Sequence, residues 1–101
     1  MTKQISKPET GSYFLELGMY LRKKRTERDL TQVEVAKQLG YSSQFIANWE
    51  RGVSSPPMPA LKKIVEIYKI SEKEFLSEML QIQESYYKRF IFNKGKKKKT
   101  V

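Results

Sequence analysis

The sequence predicts an all-α protein of five helices, and three observations carry that prediction. Apolar residues recur at steps of three and four along most of the 101-residue chain. Two boxes, Thr31 with Glu34 and Ser71 with Glu74, have the Ser/Thr-x-x-Glu spacing that opens a helix. Gly40 and Gly52 stand where two short central helices must stop, and glycine takes the left-handed conformation that ends a helix.

In order, residues 1–11 (MTKQISKPETG) are polar, hold a proline and a glycine, and show no clear apolar period. They predict a flexible arm. From Ser12, a candidate N-cap, Phe14, Leu17 and Leu21 share a helical face with Tyr13 and Met19 beside it, and Leu30 closes the segment against the core. Arg22, Lys23, Lys24, Arg25 and Arg28 crowd the far end, as the helix dipole prefers.

Residues 31–52, TQVEVAKQLGYSSQFIANWERG, then read as two short helices joined by a tight turn. Thr31 and Glu34 cap the first, which turns Val35, Ala36 and Leu39 inward, and Ala36 is small enough to let another helix cross close by. Ser42 is placed to cap the second, whose inward residues are Ile46 and Trp49. Its outward face carries Ser43, Gln44, Ala47 and Asn48.

A Ser- and Pro-rich turn leads to a fourth helix with Met58, Leu61, Ile64, Val65 and Tyr68 expected inward, its first turn tolerating proline. Ser71 and Glu74 open a fifth, in which Phe75, Leu76 and Met79 complete the core. Ile82, Tyr86, Tyr87, Phe90 and Ile91 carry the stripe further. These extra turns either fold back over Tyr13, Phe14 and Leu17 or form a dimer face, and an exposed aromatic stripe of this size favours the dimer. NKGKKKKTV ends the chain as a lysine-rich tail that repels itself and is expected to be disordered. The expected organisation is an arm over 1–11, a domain over 12–80, a helical extension over 81–93 and the tail over 94–101.

The segment 31–52 resembles the helix-turn-helix of the phage repressor and Cro-like family, the XRE-type domains. The likeness rests on Thr31-Gln32, Val35-Ala36, Gly40, Ile46 and the W-E-x-G of Trp49, Glu50 and Gly52. It implies a sequence-specific, double-stranded DNA-binding transcriptional regulator, by expectation a repressor, which acts by equilibrium binding. The third helix would enter the major groove while the second crosses the backbone. Ser43, Gln44 and Asn48 occupy the family's base-reading positions, and their chemistry agrees: Gln and Asn amides can bond adenine bidentately, and Ser serves either base type. Phe45, large and apolar at a commonly small site beside them, is a departure that could pack on a thymine methyl or limit how deeply the helix sits. Gln32 and Ser42 are expected at phosphates, with Arg22, Lys23 and Lys24 as further phosphate contacts. Arg25 is expected in a structural ion pair with Glu50 instead, because a buried guanidinium needs its carboxylate. Lys69 replaces the glycine that usually ends the fourth helix, at a cost of about 1 kcal/mol in a left-handed cap.

Charge refines the picture. Net charge is +9, but residues 1–87 hold 13 Lys or Arg against 11 acids, and residues 88–101 hold 7 with no acid. The basicity is thus mostly that of the tail, which is either merely solvated or a non-specific contact for DNA phosphate. There is no cysteine and no histidine, so thiol-metal sites, disulfides and the commonest general base are excluded. No catalytic constellation, metal site or cofactor is expected. No run approaches the ~20 apolar residues of a membrane span, so the expectation is a cytoplasmic protein held at the nucleoid by its DNA. A homodimer, reading a palindromic operator through Ile82, Tyr86, Phe90 and Ile91, is the expected assembly. The other reading is an antitoxin-like module whose C-terminal helix engages a partner protein.

Overall fold

The computed structural model describes residues 2–92, with side chains from residue 13 onward. Its helices are α1 (Thr2–Glu27), α2 (Gln32–Leu39), α3 (Ser43–Glu50), α4 (Met58–Ile67) and α5 (Glu72–Tyr87), the last running into a π-helical turn, Lys88–Phe92. This is the five-helix, all-α fold that the periodicity and caps predict. The lysine-rich tail, 94–101, lies outside the described residues.

One core joins all five helices. Leu17, Tyr20 and Leu21 of α1 meet Val35 and Ala36 of α2, Ile46 and Trp49 of α3, and Ala60 and Ile64 of α4, with Tyr68, Ile70 and Ile82 closing it. The caps behave mostly as their chemistry dictates. Thr31 and Glu34 form both halves of the capping box, and Gly40 ends α2 at φ 78°. Lys69 does adopt the left-handed conformation, at φ 55°, in the position where glycine would have been easier.

Several expectations are corrected. α1 starts at Thr2, so Ser12 is not its cap and most of the segment expected as an arm falls within the helix bounds. Once Leu17, Tyr20 and Leu21 anchor the helix, lengthening it gains about one hydrogen bond per residue fixed. Met19 points outward, and Met58, at the first turn of α4, is 76% exposed while Pro56 is buried beside it. Leu76 is also exposed, because α5 meets the core along Phe75, Met79 and Ile82 and residue 76 lies off that line. The second capping box is only half made. Ser71 Oγ accepts from the Glu74 amide, but the Glu74 carboxylate turns to the Tyr20 hydroxyl and the Lys24 ammonium, at 2.9 and 2.8 Å. A charged partner wins over the neutral backbone N–H.

The C-terminal stripe divides between its two readings. Ile82 is 4% exposed and held in the protomer's own core, so it is not available to a dimer face. Tyr86 stacks edge-on against Tyr13 at 5.5 Å and lies 5.1 Å from Phe90, and Arg89 donates to Glu16 at 2.8 Å, tying the turn back to α1. The α-helix does not continue to Ile91 as expected. The wider π turn changes the register of its own residues, and Ile91 and Phe92 stay exposed, as does Tyr87 just before it.

Candidate nucleic-acid interface

Helix α3 has two unlike faces. Ile46, Trp49 and Glu50 are buried, while Gln44 is exposed and Ser43, Ala47 and Asn48 are half-buried on the opposite side. Ser42 occupies the N-cap position without a side-chain cap bond, contrary to expectation. Its own carbonyl takes the Phe45 amide at 3.1 Å, which leaves the hydroxyl uncommitted at the helix N-terminus. Phe45 is 48% exposed and braced from one side: its ring stands edge-on to Tyr41 at 5.2 Å, and Tyr41 in turn meets Trp49 at 5.2 Å. The sequence offers Tyr41 no role, and the structure makes it the support of Phe45.

The inner face is secured by a polar knot. Arg25 and Glu50 are 8% and 6% exposed and form a bidentate pair, with Nε to Oε2 at 2.6 Å and Nη2 to Oε1 at 3.0 Å. The third guanidinium arm donates to the Leu30 carbonyl at 2.6 Å. Gln32 adds a donor to Glu50 Oε1 at 2.9 Å. Each guanidinium nitrogen donates once, so this buried pair meets the condition under which ion pairs are tolerated in a low dielectric. The knot ties the ends of α1 and α3 to the start of α2. Gln32 therefore reaches the helix N-terminus with one amide proton committed to Glu50 and one left to give.

Two glycines bring α1 close to the end of α3. A Cβ on Gly18 would fall on the Trp49 carbonyl and 2.6 Å from the Glu50 carbonyl oxygen. One on Gly52, at φ 79°, would lie 2.7 Å from Leu15 Cα. Nothing in the spacing of the sequence distinguishes Gly18 from any other residue of a helical face.

The basic cluster is less uniform than its sequence. Arg22 and Lys23 are exposed. Lys24 is half-buried and bonded to Glu27 at 2.9 Å and Glu74 at 2.8 Å. Glu74 raises the Lys24 ammonium above its usual range, and Lys24, with Tyr20, holds the Glu74 carboxyl below its own. Lys24 is thus neutralised within the fold, which speaks against the phosphate contact expected of it. Arg28 donates to the Tyr68 carbonyl at 3.0 Å and helps close α4. Arg51 is the cation that sequence reasoning missed. At the C-cap of α3 it donates through Nη2 to Asn48 Oδ1 at 2.8 Å, and Gln44 Nε2 donates to the same oxygen at 3.1 Å. The signal was available: residues 44, 48 and 51 are spaced i, i+4, i+7 and share a helix face.

These two short, glycine-punctuated helices fall within a segment shared with known proteins. A family model described as Helix-turn-helix matches residues 21–75, which include α2, α3 and α4. The chain belongs to the helix-turn-helix family. It is 34% identical over 73 residues to the HTH-type transcriptional activator BcrR of Enterococcus faecalis, covering 70% of this chain and 36% of that protein. It is 33% identical over 58 residues to the cryptic phage CTXphi transcriptional repressor RstR of Vibrio cholerae, covering 57% of this chain and 52% of that one. The chain thus spans about a third to a half of the curated relatives it matches. No solved structure matches it significantly. Among the described residues, no helix of this helix-turn-helix chain is long and apolar enough to cross a membrane.

Proposed function

We propose that the protein is a sequence-specific, double-stranded DNA-binding transcriptional regulator that lays α3 in the major groove, with α2 across the backbone. The observation that carries this reading is the division of α3. Ile46, Trp49 and Glu50 fix it to the core, while Ser43, Gln44 and Asn48 stand on the face left open. On this reading Ser42, Gln32, Arg22 and Lys23 contact phosphate. The family supports a binding role rather than a catalytic one. Of the two relatives, one is named an activator and the other a repressor. Repression is the simpler proposal, since occupancy of an operator is enough to exclude another protein.

The homodimer is part of the proposal, on a reduced surface. Tyr87, Ile91 and Phe92, the last 69% exposed, form the apolar face that α1 does not cover, with Tyr86 and Phe90 half-buried at its edge. Two copies joined there would read a palindrome with half-sites about one helical turn apart. The same face could instead seat a partner protein, and the association state of the isolated chain separates the two.

Selection from a random duplex pool tests the central claim. The parent should recover a consensus, and Gln44→Ala and Asn48→Ala should each relax one or two base pairs per half-site with little change in melting temperature. Each good bidentate contact is worth about 1–3 kcal/mol of discrimination. If both variants bind the selected site as well as the parent does, α3 is not the reading element.

A further inference from the structure

The amides on the open face of α3 are not free to turn. Asn48 Oδ1 accepts from Arg51 Nη2 at 2.8 Å and from Gln44 Nε2 at 3.1 Å. A guanidinium has donors only, so the atom of Asn48 facing Arg51 has to be the oxygen, and the amide orientation is settled by chemistry. A carbonyl oxygen has two lone pairs, and both are now occupied. What Asn48 has left to offer a partner is its NH2 group.

We propose that Arg51 is a specificity-determining positioning residue, which locks Asn48 as a donor so that it reads guanine. Bidentate pairing with adenine needs the amide oxygen to accept from the adenine amino group while the NH2 donates to N7. At Asn48 the first half of that pair is taken. The NH2 is left for major-groove acceptors, and guanine offers two adjacent ones, N7 and O6. Gln44 is in the opposite situation. It has committed one Nε2 proton to Asn48 and keeps its oxygen and a second proton, so it remains able to pair with adenine. The expectation of adenine at both positions from residue type alone is thereby split into two different preferences. This inference rests on the proposal that α3 reads DNA.

The test is selection from a random duplex pool with the full chain, using the parent, Arg51→Met, Asn48→Ala and the double variant. The parent should select guanine at the base pair that Asn48→Ala relaxes. Arg51→Met frees the Asn48 oxygen, so adenine should gain there relative to guanine by roughly two- to tenfold, the range of one net hydrogen bond. In the Asn48→Ala background the Arg51 substitution should leave that base pair unchanged. Three results would overturn the proposal alone: a parent consensus with adenine at that pair, an Arg51→Met effect at a different pair, or an even weakening on all sequences, which is the mark of a phosphate contact. A parent that selects no consensus overturns the DNA reading and this inference with it. Side-chain amide NMR of the free protein supplies a readout without DNA. The Asn48 and Gln44 NH2 signals should move in Arg51→Met, and unmoved signals would mean that the lock does not exist.

Discussion

Replacing Gly18 by alanine separates helix propensity from packing, because the two act in opposite directions at this position. In an exposed helix interior the change stabilises by about 0.5–1 kcal/mol, since glycine loses more backbone entropy on folding. Here the new methyl would sit 2.6 Å from the Glu50 carbonyl oxygen and closer still to that of Trp49, where a carbon needs about 3.5 Å. The helices would have to part by roughly 1 Å. Neither obstacle can yield easily, because both are backbone atoms and Glu50 is held from two sides by Arg25 and Gln32. Overpacking of this kind costs about 1–3 kcal/mol, and sometimes more. The expected net effect is a loss of about 1–2 kcal/mol, or some 5–15 °C in melting temperature for a domain of this size. Thermal and urea unfolding followed by circular dichroism would measure it, with Ser77→Ala on the exposed side of α5 as the control for propensity. A Gly18→Ala protein as stable as the parent, or more so, would refute the close approach of α1 to the end of α3.

The same structure sets further outcomes. Arg25→Ala leaves a buried carboxylate with Gln32 as its remaining donor, and should cost about 3–5 kcal/mol in urea unfolding. Arg25→Lys should recover little, because an ammonium cannot span both Glu50 oxygens and the Leu30 carbonyl. The Glu74 carboxyl titrates below its ordinary value, mainly through Lys24, so its stabilisation is present at neutral pH and lost as pH falls through the folded value. Glu74→Gln should therefore be less stable than the parent at pH 7, with the gap closing as the pH falls through the lowered folded value; a gap that is independent of pH would show that the Lys24 contact is not electrostatic. Phe92→Ser with Ile91→Ser should lower the association state in sedimentation and leave the melting of the protomer's core intact, whereas Ile82→Ala should cost about 2–5 kcal/mol of stability without acting through the interface.

What was legible in the sequence is what depends on near neighbours along it. Thr31 and Glu34 find each other across three residues, Gly40 and Lys69 answer a local need for positive φ, and Ile46 and Trp49 lie inward because their spacing allows no other buried face. Arg25 with Glu50 is a long-range pair that only the family resemblance made visible. The failures have the opposite character. Glu74 had a local partner in the Ser71 amide, and a lysine from α1 captured it. Met58 and Leu76 belong to stripes of the right period, but a stripe of 3.6-residue period is wider than the contact it makes, so its margins stay wet. Whether Ile82 meets its own protomer or a second one depends on how far α1 reaches along α5, which no spacing encodes. Gly18 is the extreme case, since what matters there is the absence of an atom, and only the neighbouring backbone gives that absence a meaning.

The bonds that place α3 and the bonds that arrange its open face differ in strength, and the difference decides what each can be used for. Glu50 receives three donors in a site almost closed to water, where removing Arg25 leaves a charge that water cannot reach. The bonds among Gln44, Asn48 and Arg51 lie at the surface, where each is worth little to the stability of the fold even as together they orient the Asn48 amide. Buried residues therefore set the position of the helix, and the specificity proposed for it would lie with residues on which the fold scarcely depends. Phe45 is the exception within α3. Its ring is braced against Tyr41 and through it against Trp49, yet about half of its surface is open on the same end of the helix as Ser42 and Ser43. A residue so placed can limit the depth of the helix in a groove without moving, because the brace behind it belongs to the core. On the proposed reading, that depth would decide which of the shorter side chains, Ser43 above all, can reach a base edge. Phe45 would thereby link the two otherwise separate sets, sensing groove shape with the stiffness that the buried set supplies.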